Sequence, residues 1–157
     1  MSDLILVLTW FHIFFVIGWF GSFLYTFFVL FPLLPKLSSQ SGKELVFKLL
    51  PQHDLFSIIF PTGAVIFGLA LFLEMSPRQN ATWHYYIWSG IITGLIAYVL
   101  MIVAMIGNSR MHRAVAATIN QPQVQPQPPP KSTLVMLVIS FVLLLATMSL
   151  MVFASSV

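Results

Sequence analysis

The stretch LILVLTWFHIFFVIGWFGSFLYTFFVLFPLLP, residues 4–35, decides the fold. It contains no Lys, Arg, Asp or Glu, and it exceeds the roughly 20 apolar residues that a helix needs to span a bilayer core. One ionisable group sits inside it, His12. An imidazole in hydrocarbon costs free energy unless it meets a partner, so such a residue is a functional-site candidate by default.

Three further segments share this character, giving expected helices over about residues 4–35, 54–74, 84–109 and 132–155. The chain is 59% hydrophobic and only 7% charged, with a mean hydropathy of +0.95. A soluble domain carries about 25% charged residues, so a water-soluble globule is excluded. Lipid leaves backbone groups unsatisfied outside helices and closed barrels, and no alternating ten-residue strands are present. The expected fold is all-α: one integral membrane domain over residues 1–157, a four-helix bundle in up-down-up-down order. The first run lacks a basic flank and its apolar part is too long for a cleaved leader, so it reads as a retained helix.

Orientation follows from the basic residues. Lys36, Lys43 and Lys48 lie in the first connection, and Arg110, Arg113 and Lys131 in the third, against Arg78 alone in the second. The positive-inside rule puts the first and third connections in the cytoplasm and both termini outside. The net charge of +3 is spread between apolar runs, so it marks loops and not a nucleic-acid footprint. The expected surroundings are a prokaryotic cell membrane, with other membrane subunits or further copies of the chain as partners.

Within the first connection, Ser41 and Glu44 have capping-box spacing and predict a short interfacial helix over about 42–50, stopping before Pro51. Residues 120–131 are rich in Pro and Gln and read as a solvated linker. Ala64 with Gly68, and Gly90 with Gly94, have the spacing at which helices approach closely. Trp83, Tyr85, Tyr86 and Trp88 suggest an aromatic belt at the membrane surface.

Chemistry falls to four histidines, because the chain has no cysteine and therefore no thiolate site or covalently attached haem. His12 and His84 form an expected outer pair; His53 and His112 form a second pair, with a weaker claim to a metal. Two imidazoles from separate helices are the arrangement that ligates a b-type haem inside a bundle. Copper is the alternative, since thioethers such as Met101, Met105, Met148 and Met151 favour Cu(I), although methionine is also ordinary core filling. A cofactor-free accessory subunit of a larger membrane complex is the third reading.

The pattern His12-x6-Trp19-x-Gly21, followed by Pro32, resembles the first helix of the CopD-like membrane proteins, which include copper-resistance domains and HemJ-type protoporphyrinogen oxidases. That resemblance implies a helical bundle with His12 as an axial haem ligand and Trp19, Phe20 and Gly21 as the adjoining wall. It covers about the first thirty-five residues. The HemJ pattern has an Arg after the Trp-containing segment, where Thr26, Phe27 and Phe28 stand here, and a Lys in the third helix, where no basic residue lies between His84 and Arg110. The resemblance therefore carries haem binding but not protoporphyrinogen oxidation.

Overall fold

The computed structural model describes residues 3–33, 36, 39–75, 80–119 and 130–156, apart from the side chains at 40, 43 and 107–119. The linker expected over 120–131 and Arg78 fall almost wholly outside these residues, as do the side chains of Arg110, His112 and Arg113. The described residues form four helices long and apolar enough to cross a membrane, with spans Asp3–Leu33, Glu44–Met75, Ala81–Ile106 and Lys131–Ser155.

The first helix, α1, is α-helical over Asp3–Tyr25 and then widens into a π-helical turn, Thr26–Leu30, before Phe31–Leu33. Phe31 N–H reaches back to the Thr26 carbonyl, five residues away. Pro32, which has no N–H to give to the preceding turn, follows at once. π turns inside α-helices are rare and tend to occur at functional sites.

The second helix, α2, is continuous over Gln40–Met75 and contains both Pro51 and Pro61. The separate interfacial helix expected over 42–50 is therefore the first part of α2. Its cap is Ser39, whose Oγ accepts from Gly42 N–H at 3.2 Å, two residues before the Ser41 of the capping-box reading. A capping box is only one of several local ways to satisfy the first orphan N–H groups, and here the nearer hydroxyl takes that role.

The third helix, α3, spans Ala81–Ile119. Asn80 starts it, accepting from Trp83 N–H at 2.8 Å. It continues beyond the expected end near residue 109, because apolarity marks the membrane segment while the Ala-containing sequence after it still favours helix. The fourth, α4, spans Lys131–Ser155 and begins after Pro130, whose extended backbone (φ −53°, ψ 143°) cannot continue a helix backwards.

The helices associate as two close pairs, α1 with α2 and α3 with α4; a lesser α2–α3 contact and a small α1–α4 contact join the pairs. Small residues explain the closeness. Gly18 receives the Phe60 ring and Gly63 the Phe15 ring, while Gly90 and Gly94 meet Met151 and Thr147. The shared core is Trp19, Phe23, Ala64, Ala97, Met101, Ala104, Leu137 and Leu144. Gly21, on the same helix as Gly18, faces open space.

Ser140, fully buried on α4, donates to the Ala97 carbonyl of α3 at 2.6 Å. Interhelical hydrogen bonds of this kind average about 0.6 kcal/mol in membrane proteins. Ser140→Ala is expected to lower stability by about that amount in an unfolding titration of the detergent-solubilised protein. No change would show that the carbonyl loses nothing when the hydroxyl goes.

Candidate functional site

Between the two helix pairs lies a cavity of about 590 Å³, lined by all four helices. That volume is within the roughly 300–1,000 Å³ typical of ligand sites. Its walls are apolar: Ile5, Val16 and Trp19 from α1, Leu71 and Phe72 from α2, Ile87 from α3 and Leu144 from α4 are among them. His12 is the one titratable side chain among the described residues that line it.

The orientation of His12 follows from its neighbours. Nδ1 lies 3.0 Å from the Ala64 carbonyl oxygen. A carbonyl can only accept, so Nδ1 carries the hydrogen and, in the neutral ring, Nε2 carries the lone pair. Among the described residues no protein group hydrogen-bonds Nε2. A backbone carbonyl holding one ring nitrogen while the other stays free is the usual arrangement of a metal-binding histidine. Gly68 makes room for the ring: a Cβ there would lie 2.8 Å from Cε1. The helix-pair geometry around it is fixed by stacked rings, Phe11 on Phe67 at 5.0 Å and Phe15 on Phe67 at 5.4 Å.

Trp19 lies on the cavity wall and meets Tyr98 edge-on at 6.4 Å. Its exposure is 3%, and its indole Nε1 has no hydrogen-bond partner among the described residues. Gly21 does not line the cavity.

The other histidines are placed elsewhere. His84 packs edge-on against Trp83 at 5.1 Å and Phe72 at 6.5 Å; those two rings line the cavity and His84 does not. The expected outer pair of His12 and His84 therefore does not share this cavity. His53 hydrogen-bonds Thr26 and belongs to a separate small pocket. The His112 side chain lies outside the described residues. Among the described residues no three His, Cys, Asp or Glu side chains gather as a metal cluster.

Methionines fare differently on the two levels. Met75, Met148 and Met151 line the large cavity, whereas Met101 is buried in the core and lines the small pocket with Met105. Trp83, read from sequence as part of a surface belt, is buried and stacks on Phe72 at 6.1 Å. Tyr85 and Trp88 are exposed.

Sequence reasoning did not single out Thr9, Met75 or the Ala64 carbonyl. The first two carry no distinctive spacing, and a backbone acceptor becomes visible only when two helices are docked.

The chain matches no protein-family model, no curated protein and no solved structure.

Proposed function

We propose that the chain is a multi-pass membrane protein that holds a b-type haem non-covalently between its helix pairs, with His12 as axial ligand, and that it serves electron transfer. The observation that carries this reading is the His12 imidazole: it is anchored through Nδ1 on the Ala64 carbonyl at 3.0 Å and set in the wall of an apolar cavity of about 590 Å³. The resemblance of the first helix to CopD-like proteins supports the same residue.

The residues fit the group in three respects. His12 supplies a ligand nitrogen of defined tautomer, the walls are aliphatic and aromatic, and the volume is within the range of ligand sites. None of the described lining residues is charged, so none of them would pair with the haem carboxylates. Bound there, haem would supply reversible one-electron exchange. The protein's part is to hold the iron ligand, exclude water and set the polarity of the surroundings.

Among the described residues the walls provide no second imidazole. The reading therefore rests on His12 and not on His84, and His84→Ala is expected to leave the visible spectrum unchanged. Loss of the spectrum in that variant would restore the paired-histidine arrangement.

The bundle is read as alternating in direction, with both termini outside and Lys36, Lys43 and Lys48 towards the cytoplasm. Lipid covers the exposed apolar faces. Other subunits or further copies of the chain would supply and remove electrons.

The test is an absorption spectrum of the detergent-solubilised protein. The expected result is a Soret band whose visible bands sharpen and split on dithionite reduction. A featureless spectrum would end the haem proposal and leave the copper reading and the cofactor-free accessory role. A second reading is copper binding, favoured because His12, Met75, Met148 and Met151 line one cavity and imidazole with thioethers suits Cu(I). Copper present without haem, in protein purified from copper-supplemented cells, would select it.

A further inference from the structure

A second polar feature lies in the seam between the helix pairs, at the π-helical turn of α1. Ser22, Thr26, His53, Asp54, Ser57 and Met101 help to line a pocket of about 20 Å³, enough for one water molecule. His53 and Asp54 fall within the membrane-spanning part of α2, about 15 Å of helix beyond Glu44 at 1.5 Å per residue.

Hydrogen counting fixes the tautomer of His53. Thr26 donates its only hydroxyl hydrogen to the Ser22 carbonyl at 2.8 Å. The contact between Thr26 Oγ1 and His53 Nε2 at 2.9 Å must therefore use a hydrogen on Nε2. That leaves Nδ1 as the basic nitrogen. Nδ1 is buried with no hydrogen-bond partner among the described residues, and it lies 3.6 Å from Asp54 Oδ1, beyond a direct hydrogen bond. A buried acceptor without a donor calls for an explanation, and an ordered water or a proton-transfer role are the common ones.

Local structure favours this place for a polar guest. The π turn carries Thr26 at its start, and Pro61 cannot donate to the Ser57 carbonyl, so the backbone beside the pocket has an acceptor without its usual helical donor.

We propose that His53 and the adjoining pocket form a proton-binding site: a single water sits among Ser22, Ser57, Asp54 and His53, and Nδ1 of His53 takes up a proton relayed through it. The proton comes from hydronium in the aqueous phase and returns there on release; no other bond is made or broken. Binding converts the imidazole to imidazolium beside the Asp54 carboxylate, and Asp54, 28% exposed, connects the pair to the surface of the bundle. From α1 the facing titratable group is Tyr25, whose ring lies 5.5 Å from that of His53. From α3 and α4 the described neighbours are Met101, Ala104, Met105 and Leu137, none of which titrates. The site is independent of haem at His12.

The experiment is ¹⁵N NMR of histidine-labelled full-length protein in lipid bilayers, followed from about pH 5 to 8, the window in which imidazoles change charge. The His53 signals are identified by their loss in His53→Gln. The expected result is that Nε2 stays protonated throughout while Nδ1 moves from the unprotonated to the protonated position as the pH falls. Thr26→Val removes the acceptor of Nε2–H, so a population with the hydrogen on Nδ1 should appear at the upper end. An Nδ1 that stays unprotonated across the range, or wild-type protein already carrying the neutral-ring hydrogen on Nδ1, overturns the proposal. The wild-type titration decides alone if the Thr26 variant does not fold.

Discussion

Replacing His12 by Ala is expected to abolish the Soret band that the proposed haem would give the purified protein, while leaving its helical circular dichroism in place. The first half follows from the cavity wall, where no other imidazole is present among the described residues. The second half follows from what the ring contributes to folding. It makes one hydrogen bond, to a carbonyl that belongs to α2, and a hydrogen bond of this kind is worth about 1 kcal/mol. The bundle is expected to survive such a loss, so an absent band would report on ligation. Imidazole added to the variant should restore part of the absorbance by occupying the vacated space.

Gly68→Ala probes the same ligand without removing it. The new Cβ would lie 2.8 Å from His12 Cε1 and 3.0 Å from Nδ1. Either the ring turns, which breaks the bond to Ala64 and redirects Nε2, or α1 and α2 separate. Haem affinity is expected to fall by about tenfold, equivalent to about 1.4 kcal/mol, with a shifted Soret maximum. A His12→Ala protein that retained the wild-type spectrum would remove His12 from the site, whatever Gly68→Ala did.

The largest expected loss of stability comes from the two glycines between α1 and α2. A Cβ on Gly18 would fall 2.2 Å from Phe60 Cδ1, and one on Gly63 would fall 2.3 Å from Phe15 Cδ1. Neither ring can yield freely. Phe15 is stacked on Phe67, Phe60 is stacked on Phe56 at 5.7 Å, and Phe14 meets both Phe15 and Phe60. Overpacking of this kind costs about 1–3 kcal/mol per site, offset in part by the better helix propensity of Ala, about 1 kcal/mol. The double variant Gly18→Ala/Gly63→Ala should therefore unfold at a clearly lower denaturant concentration than either single one. Gly21→Ala is the internal control, since nothing lies within 4 Å of its added Cβ. Equal behaviour of all three positions would mean that helix propensity, and not ring packing, sets the stability of the pair.

The contrast between Gly18 and Gly21 shows how far sequence reaches. Both are glycines within one turn of each other on α1, yet only Gly18 receives a ring from a neighbouring helix. A helical wheel gives directions around one axis; the side from which the partner approaches depends on tilt and on which helix arrives. His84 makes the same point. It was expected at the level of His12, but its ring packs against Trp83 and Phe72 and does not line the cavity. Thr26 is a third case: its polarity was plain, while its pairing with a histidine 27 residues later required α1 and α2 to be docked.

The uncharged runs alone were enough to read four helices able to cross a membrane, as the described residues show, because runs of that length match the bilayer core and lipid leaves the backbone of a single segment only the helix in which to satisfy itself. The sequence also singled out His12, since an ionisable group within such a run is rare enough to require a reason. What His12 faces, which glycines receive rings, and the presence of both a wide apolar cavity and a small polar pocket in the seam of the two helix pairs became visible with the docked helices. Those features depend on how side chains from separate helices interlock, and that information lies in pairs of residues far apart in the chain, not in any local pattern.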